Sequence, residues 1–525
     1  MRRSPGDERR LEDPKAKPRN DKDARPQSRR DRDRIFYSTE FGRLEGVTQI
    51  ATVLASSVHN RLTHSYRVEQ IARSMALHLL ADGLSPDLVS EDVVAAAALA
   101  HDLGHPPFGH TGETALQRAV SCDRHRRDQT TTAAMRATRR GEEMACAEGQ
   151  RCLLPDGFEG NAQTFRILTL LADKNGVDKE GIKVLQAPTQ GGMDLTRRVL
   201  SASLKYPWLR GGNRKKLRKW GAYDADAEAF AWVVASQPSS RPNLEAQIMD
   251  FADDIAYAVH DLEDFHKAGI IPLDQIKFDK PGFAQILLYA RGEATKIGLS
   301  PEGPLAPLDD EYRRWREERS SQLNSVIEDE YAAGASTEPD RHRYPILHGF
   351  KTILDRFPDS QHTDDLDGRR RLTRWRSNLI TQLLDNIHVS RGRLGYRKEA
   401  PRMVMEYLKQ VTWYYVIDKP KFIAIRRGQS KLVAETFEEL HAVATRTWLN
   451  DLGDYREPTS HELLGVEPLL ADFVDLGRLQ SRQSRPSEVI ARAVVDFICT
   501  MGDSEIYDYG LKLRGAPTHA SAFVF

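Results

Sequence analysis

The run Glu91-Asp92-Val93-Val94-Ala95-Ala96-Ala97-Ala98-Leu99-Ala100-His101-Asp102-Leu103-Gly104-His105-Pro106-Pro107-Phe108-Gly109-His110-Thr111-Gly112-Glu113 decides how the rest of the chain is read. Ser90 stands where a helix cap belongs, and Glu91 and Asp92 occupy the first turn, where the helix dipole favours acids. Apolar residues then run from Val93 to Ala100, and Gly104 with the Pro106-Pro107 pair should end the helix. His101 and Asp102 follow Val94 at i+7 and i+8, so both should point inward at the end of an alanine-rich helix. A lone histidine on an apolar face is usually a satisfied core residue. A neighbouring buried aspartate is harder to dismiss, because an unpaired carboxylate in the interior costs several kcal/mol. A cation would offset that cost.

Two other segments extend the pattern. Val68, Ile71, Met75 and Leu79 recur at helical spacing over 62–80, and His64 lies on the same stripe. Asn243 can cap a long helix to about Lys267 whose stripe holds Ile248, Phe251, Ala252, Ile255, Val259 and Leu262. Asp253, Tyr257 and Asp261 are spaced i, i+4, i+8 on the other face. Acids alone there would read as a solvated face; a tyrosine centred between them favours the wall of a cleft. His64, His101, Asp102 and Asp253 together suit a divalent cation such as Mg or Mn with mixed nitrogen and oxygen ligands and positions left for water. Imidazole must be neutral to ligate, so binding should weaken as pH falls through roughly 6.5.

The remainder of the chain reads as mainly helical, with helices after Asn161, over 431–450 and over 487–501. The best strand candidate is Val411-Thr412-Trp413-Tyr414-Tyr415-Val416-Ile417, a small β element in an otherwise all-α protein. Residues 121–156 read as an insertion without periodicity, and 300–345 as a charged excursion. Residues 1–34 hold 13 Lys/Arg against 8 Asp/Glu and almost nothing apolar, so a disordered charged tail is expected.

Composition excludes several classes. The 525 residues balance 76 Lys+Arg against 76 Asp+Glu, which does not fit a globally basic nucleic-acid binder. Mean hydropathy is −0.55. The longest clean apolar run, Val93–Ala100, falls far short of the ~20 residues a bilayer span needs. The charged N-terminus lacks a secretory core. Four cysteines, Cys122, Cys146, Cys152 and Cys499, are too few for a disulfide scaffold and lack the paired C-x-x-C spacing of a zinc ribbon. A cytoplasmic protein without a membrane partner is expected.

These stretches resemble the HD-domain deoxynucleoside triphosphate triphosphohydrolases, the bacterial dGTPase-like family. The matching residues are Asn60-Arg61-Leu62-Thr63-His64-Ser65, the run His101–Glu113, Phe158-Glu159-Gly160-Asn161-Ala162-Gln163, Lys205-Tyr206-Pro207-Trp208, and Ala252-Asp253-Asp254-Ile255-Ala256-Tyr257 through His260-Asp261-Leu262-Glu263-Asp264. Order and spacing agree over about 35–270. The resemblance implies an all-α HD fold over 35–270 and a mostly helical C-terminal region, 271–525, that completes the site and supplies oligomer contacts. It implies metal-dependent hydrolysis of a dNTP, dGTP or several, to deoxynucleoside and intact triphosphate. On it, His64, His101, Asp102 and Asp253 look like the metal ligands, with Asp254 competing for the last place. His110 and Glu113 match the catalytic pair, and His105 a position that varies between His and Asn. Arg61, Lys205, Tyr206 and Lys219 match phosphate-contacting positions. Tyr257, Asp261 and Gln49 match positions that read the deoxyribose and its 3′-hydroxyl. The resemblance also implies a homo-oligomer, a tetramer or hexamer. Two alternatives stay open: an HD phosphohydrolase acting on another nucleotide, and a nucleotide-sensing or nucleic-acid-binding regulator.

Overall fold

The computed structural model describes residues 23–50, 60–123, 125, 146, 151–172, 192–211, 214–235, 241–278, 280–296, 303–328, 338–463, 467–480 and 484–515. Among them regular structure is almost entirely helical. The helices that position the site are α1 (Gln27–Phe36), α2 (Arg61–Ala81), α3 (Glu91–Ala100), α4 (His110–Ala119), α5 (Gly160–Arg166), α6 (Leu244–Ala256), α7 (Glu399–Thr412), α8 (Pro420–Trp448), α9 (Pro486–Ile498) and α10 (Asp503–Leu513). None of the described helices is long and apolar enough to cross a membrane.

Two compact units divide the chain, one of residues 1–51, 59–252 and 424–525, the other of 52–58 and 253–423. In the first, α3 is buried on every side: Val93 through Ala100 are all at or below 1% exposure. A helix apolar around its whole circumference has to be enclosed. Here α1, α2 and Arg197–Ala202 enclose it, and its alanines let those backbones approach closely. Ser90 occupies the cap position of α3 but its hydroxyl does not cap; its N–H instead donates to Glu245 on α6 at 2.8 Å. A second cluster packs Ala115 and Leu116 of α4 and Phe158 against Val433 and Phe437 of α8 and Ile490 and Val494 of α9. Residues 271–525, expected as one region, are therefore split, because the last hundred residues bury their apolar faces against α4.

Three expectations are corrected. Residues 27–34, expected within a disordered tail, belong to α1: Ile35 is fully buried, and the buried carboxylate of Asp31 accepts from the Thr196 N–H (2.9 Å) and hydroxyl (2.7 Å). The charges of this segment are spent on ion pairs such as Arg32–Glu69 at 2.6 Å, so a low apolar content did not prevent ordering. Residues 1–22 lie outside the described residues. The strand expected over 411–417 is helical: α7 continues into a π-helical turn, Trp413–Ile417. Its β-branched and aromatic residues fit a strand locally, but Val404, Leu408 and Val411 form the buried stripe of a helix that Val416 continues while Trp413 stays exposed, and burial of that stripe overrides propensity. The one described sheet is elsewhere, a hairpin of β1 (Ile387–Ser390) and β2 (Arg393–Tyr396) with Ile387 opposite Tyr396. Its turn, Arg391-Gly392, has positive φ at both residues, the geometry that two-residue hairpins favour. The excursion expected over 300–345 includes a long helix, Ala306–Glu328.

In the second unit, the chain continues from α6 through a π-helical turn, Tyr257–Asp261, into a short helix ending at Lys267. The long helix expected to Lys267 is thus present, and Asn243 caps it through Oδ1, which accepts the Ala246 N–H at 2.7 Å.

Candidate functional site

The residues of the first unit fall into one connected line of polar side chains. His64 projects from the first turn of α2, which Asn60 caps by accepting the Thr63 N–H at 3.0 Å. His101 caps the C-terminal end of α3. The two rings lie 5.6 Å apart centre to centre, His64 fully buried and His101 nearly so. His101 Nδ1 is 2.7 Å from the Ala98 carbonyl oxygen, which can only accept, so Nδ1 carries the proton and Nε2 the lone pair. Nε2 is 3.4 Å from Asp102 Oδ2. A backbone carbonyl that fixes the tautomer of a histidine and turns its other nitrogen toward a carboxylate is the usual outer support of a metal-ligating imidazole.

Asp102 has more company than its sequence context suggests. Arg61, 2% exposed, donates from Nη1 to Oδ2 at 2.5 Å, and His105 Nδ1 lies 3.0 Å from Oδ1. Burial pushes the Asp102 carboxyl up, but Arg61, then His101 and His105, outweigh it and hold it well below the usual carboxylate range. The expected cost of an unpaired carboxylate is thus already offset by Arg61, and the case for a cation rests on the His64–His101–Asp102 grouping rather than on that cost. Burial and then the Arg61 charge pull the His105 imidazole down to about 4, with Asp102 opposing in part, so the ring is neutral at neutral pH.

His105 and His110 meet edge to face, centroids 5.1 Å apart. The side chain of His110 stands out at the start of α4, 73% exposed, and its Nδ1 is 2.8 Å from Glu113 Oε2 one turn on. Glu113 is buried. Its Oε1 accepts from Lys219 Nζ at 3.0 Å and from the Gly160 N–H at 3.1 Å. Burial raises the Glu113 carboxyl, but His110 and Lys219 prevail and hold it well below its ordinary value. Lys219 also reaches Glu159 at 2.7 Å, and Glu159 caps α5 by accepting the Asn161 N–H at 2.6 Å. Burial raises the Glu159 carboxyl, and Glu113 adds to the rise against the opposition of Lys219.

The loop that carries this line is fixed by close backbone approaches. A Cβ on Gly104 would fall 2.2 Å from both the Gly160 carbonyl oxygen and the Thr164 nitrogen. At Gly109, with φ of +54°, it would fall 2.5 Å from Arg61 Nη2. Two residues that sequence reading missed pin the loop from outside. Arg43 donates to the carbonyls of Leu103 (2.7 Å), His105 (2.9 Å) and Met501 (3.0 Å). Asp503, at the start of α10, accepts the Phe108 N–H at 2.6 Å and the Thr48 N–H at 3.0 Å. Their partners lie tens to hundreds of residues away, so no local pattern announces them. Glu159 carried a local signal, an acid immediately before a helix.

Not every expected contact is as anticipated. The three basic residues expected to meet phosphate are each ion-paired within the protein: Arg61 with Asp102, Lys205 with Asp250, and Lys219 with Glu113 and Glu159. Tyr206 is half-buried, its ring 5.6 Å from that of Trp208. Gln49 is half-buried, and its backbone carbonyl accepts from Arg61 Nη2 at 3.4 Å. In the second unit, Asp253 and Tyr257 are half-buried and Asp261 is 1% exposed, so this is no solvated acidic face. Burial, then Asp261, Asp254 and Asp253, push the Tyr257 phenol up. Asp254 is taken by Lys409 at 2.9 Å.

Comparison with known proteins gives the chain a family. The HD domain profile matches residues 61–154, from Arg61 through His64, His101 and Asp102 to Leu154. A deoxyguanosinetriphosphate triphosphohydrolase-like protein of Streptomyces coelicolor is 38% identical over 499 residues, 93% of this chain and 92% of its own length. One from Corynebacterium efficiens is 34% identical over 421 residues, 80% of each chain, and the deoxyguanosinetriphosphate triphosphohydrolase-like protein 2 of Mesorhizobium japonicum is 28% identical over 527 residues, 94% of each. With relatives of that identity matched over most of its length, the chain belongs to the deoxyguanosinetriphosphate triphosphohydrolase-like family of HD-domain hydrolases.

Proposed function

We propose that this hydrolase cleaves a dNTP, dGTP or several, to a deoxynucleoside and intact triphosphate, and that it needs a divalent cation to do so. The observation that supports this reading most is the pairing of His110 with Glu113 at 2.8 Å, one ring contact from His105, which itself touches Asp102 beside His101 and His64. An acid–base pair thus stands next to a nitrogen/oxygen ligand group within one unit.

His64, His101 and Asp102 fit a divalent cation by donor chemistry: two buried imidazoles, one with its tautomer fixed, and a carboxylate held ionised. We assign the remaining ligand to Asp253, which places Tyr257 and Asp261 at i+4 and i+8 along the same helix face, rather than to Asp254. The cation would supply Lewis-acid charge at the α-phosphate. The chain's own groups do the rest. His110, accessible at the start of α4, delivers a proton to the departing O5′, with Glu113 orienting its ring and stabilising the imidazolium. His105, neutral at working pH with Nδ1 against Asp102, leaves Nε2 to accept a hydrogen bond from an incoming water. Arg61, Lys205, Tyr206 and Lys219 bind the phosphate chain, which displaces the carboxylates now paired with the basic side chains. Tyr257 packs against C2′ and excludes a 2′-hydroxyl, while Asp261 and Gln49 hold the 3′-hydroxyl. Assembly into a homo-oligomer is part of the same proposal and is read by light scattering on the purified protein.

A metal-by-dNTP screen with product identification tests the proposal. Equimolar deoxynucleoside and tripolyphosphate, from dNTPs and not from NTPs, is the expected result. Release of only orthophosphate or pyrophosphate would overturn it.

A further inference from the structure

The insertion read over 121–156 begins just past α4, the helix that carries His110 and Glu113. Three of the chain's four cysteines lie in it, in the arrangement Cys122-x2-His125-x20-Cys146-x5-Cys152. That spacing lacks paired C-x-x-C motifs, which is why the sequence argues against a zinc ribbon. The fold brings the four residues together regardless: each offers one ligand atom, and all four atoms lie within 4.8 Å of one another. His125 Nδ1 is 3.1 Å from Cys122 Sγ, 3.2 Å from Cys152 Sγ and 3.8 Å from Cys146 Sγ, and the sulfurs of Cys146 and Cys152 are 3.9 Å apart.

Those distances discriminate between the things three thiols and an imidazole can do. A tetrahedral zinc with ordinary bond lengths separates two sulfurs by about 3.8 Å and a sulfur from a nitrogen by about 3.6 Å. A disulfide needs about 2.05 Å, so a sulfur pair at 3.9 Å is not bonded. Ordinary thiol burial looks different: Cys499 sits among the apolar residues of the α4–α8–α9 cluster, as a small hydrophobe does. Cys152 Sγ, by contrast, accepts the Cys122 N–H at 3.3 Å, the kind of backbone support that metal-bound thiolates receive.

We propose that Cys122, His125, Cys146 and Cys152 bind one structural zinc ion. Four protein ligands, three of them thiolates, leave no position for water or substrate and select zinc over Mg or Mn. The site joins two chain segments. On one side Cys122 follows Val120, where α4 ends. On the other, Cys152 leads into Leu153 and Leu154, whose N–H groups both donate to the Val120 carbonyl, at 2.9 and 3.3 Å. The chain then passes Phe158, whose N–H donates to Gln117 of α4 at 2.5 Å, and arrives at Glu159. The ion therefore ties the base of the helix that presents Glu113 to the strand of chain that presents Glu159, the two carboxylates that share Lys219. Its role is positional.

The test uses full-length protein expressed with zinc, purified under reducing conditions, and dialysed against EDTA to strip loosely held metal. One zinc per chain should remain in the wild type and in His64→Ala, and be absent from Cys146→Ser and Cys152→Ser. Cobalt exchanged into the wild type and into His64→Ala should show thiolate-to-metal charge transfer in the near ultraviolet and the visible bands of a tetrahedral ion. Should the cysteine variants fail to fold, the wild-type cobalt spectrum decides alone. A wild-type protein free of tightly held zinc whose cobalt form lacks thiolate charge transfer overturns the proposal. So does a Cys146–Cys152 disulfide found by mass spectrometry in protein isolated with its thiols trapped.

Discussion

Two groups of potential metal ligands lie at opposite ends of α4, and they differ in almost every respect. The group at its start, extending back to His64, His101 and Asp102, uses nitrogen and oxygen donors. Its members already hold other partners, namely Arg61, His105 and the Ala98 carbonyl. The group past its end uses three sulfurs and one nitrogen whose contacts are chiefly with one another. The first suits an ion that must exchange water and meet substrate; the second suits an ion that never leaves. The difference teaches that proximity of ligand types is not enough to infer chemistry. What surrounds the ligands, and whether a coordination position stays open, separates a site that acts from one that holds.

The comparison breaks most directly at Asp102. Asp102→Ala should lower kcat/KM by at least about 10³-fold, since it removes both a proposed ligand and the partner of Arg61. The tightly held zinc should stay at one per chain. Loss of both together would mean that the two groups are not independent. Next in size is His110→Ala. General acid catalysis is worth about 10² to 10⁴, and a ring 73% exposed carries little packing. A large fall in kcat with an unchanged melting temperature is expected; equal falls in both would assign His110 to the fold instead.

The two groups also differ in how visible they are in the sequence. His101, Asp102, His105, His110 and Glu113 fall within thirteen residues on a Pro/Gly-rich turn, so helix periodicity and chain stiffness alone bring them together. The helices around them were equally legible, because α2 and α6 repeat apolar residues at helical spacing and α3 is an unbroken apolar run followed by Gly104 and Pro106. Cys122 and Cys152 are separated by a stretch with no periodicity, and only tertiary structure closes them. Arg43 and Asp503 were invisible for a related reason: their role is to bond backbone groups of a distant loop, which leaves no pattern around them. The segment 411–417 failed in the opposite way, since its local preference for strand was real and was overruled by the buried stripe of α7. The ion pairs that occupy Arg61, Lys205 and Lys219 could not be foreseen either, because each acid that meets them comes from another element.

Further predictions sharpen the positional side of the comparison. Cys152→Ser should lower kcat/KM by about tenfold through loss of alignment at Glu113 and Lys219, a fraction of what sub-ångström to ångström misplacement can cost. It should also lower the melting temperature, and KM should move less than kcat. Unchanged kinetics at a temperature where the variant stays folded would leave the second group with no bearing on the first. Asp503→Asn keeps the shape but loses a charged acceptor for the Thr48 and Phe108 N–H groups. It should cost about 1–2 kcal/mol of stability by urea unfolding, and a few-fold in kcat. Gly104→Ala cannot be accommodated by side-chain movement, since the added carbon meets backbone on both near contacts, so it should report on α5 packing rather than on chemistry.

The smallest effect concerns the two carboxylates on Lys219, and it has opposite signs at the two. Glu113 has its folded-state pKa held below the ordinary value. Its contribution to stability is therefore fully present above about pH 4.5 and is lost as pH falls further, toward the folded value. Glu159 is raised, chiefly by burial. The unfolded chain gives up that proton first, so the Glu159 term falls as pH rises from about 4.5 toward the folded value. Urea unfolding of wild type, Glu113→Gln and Glu159→Gln between about pH 3 and pH 7 reads both slopes, the first below about pH 4.5 and the second above it. The stability advantage of wild type over Glu113→Gln should shrink on acidification, and that over Glu159→Gln should grow. Slopes of the same sign would mean that Lys219 serves both acids alike, and that the asymmetry between the face bonded to His110 and the face capping α5 does not set their charge.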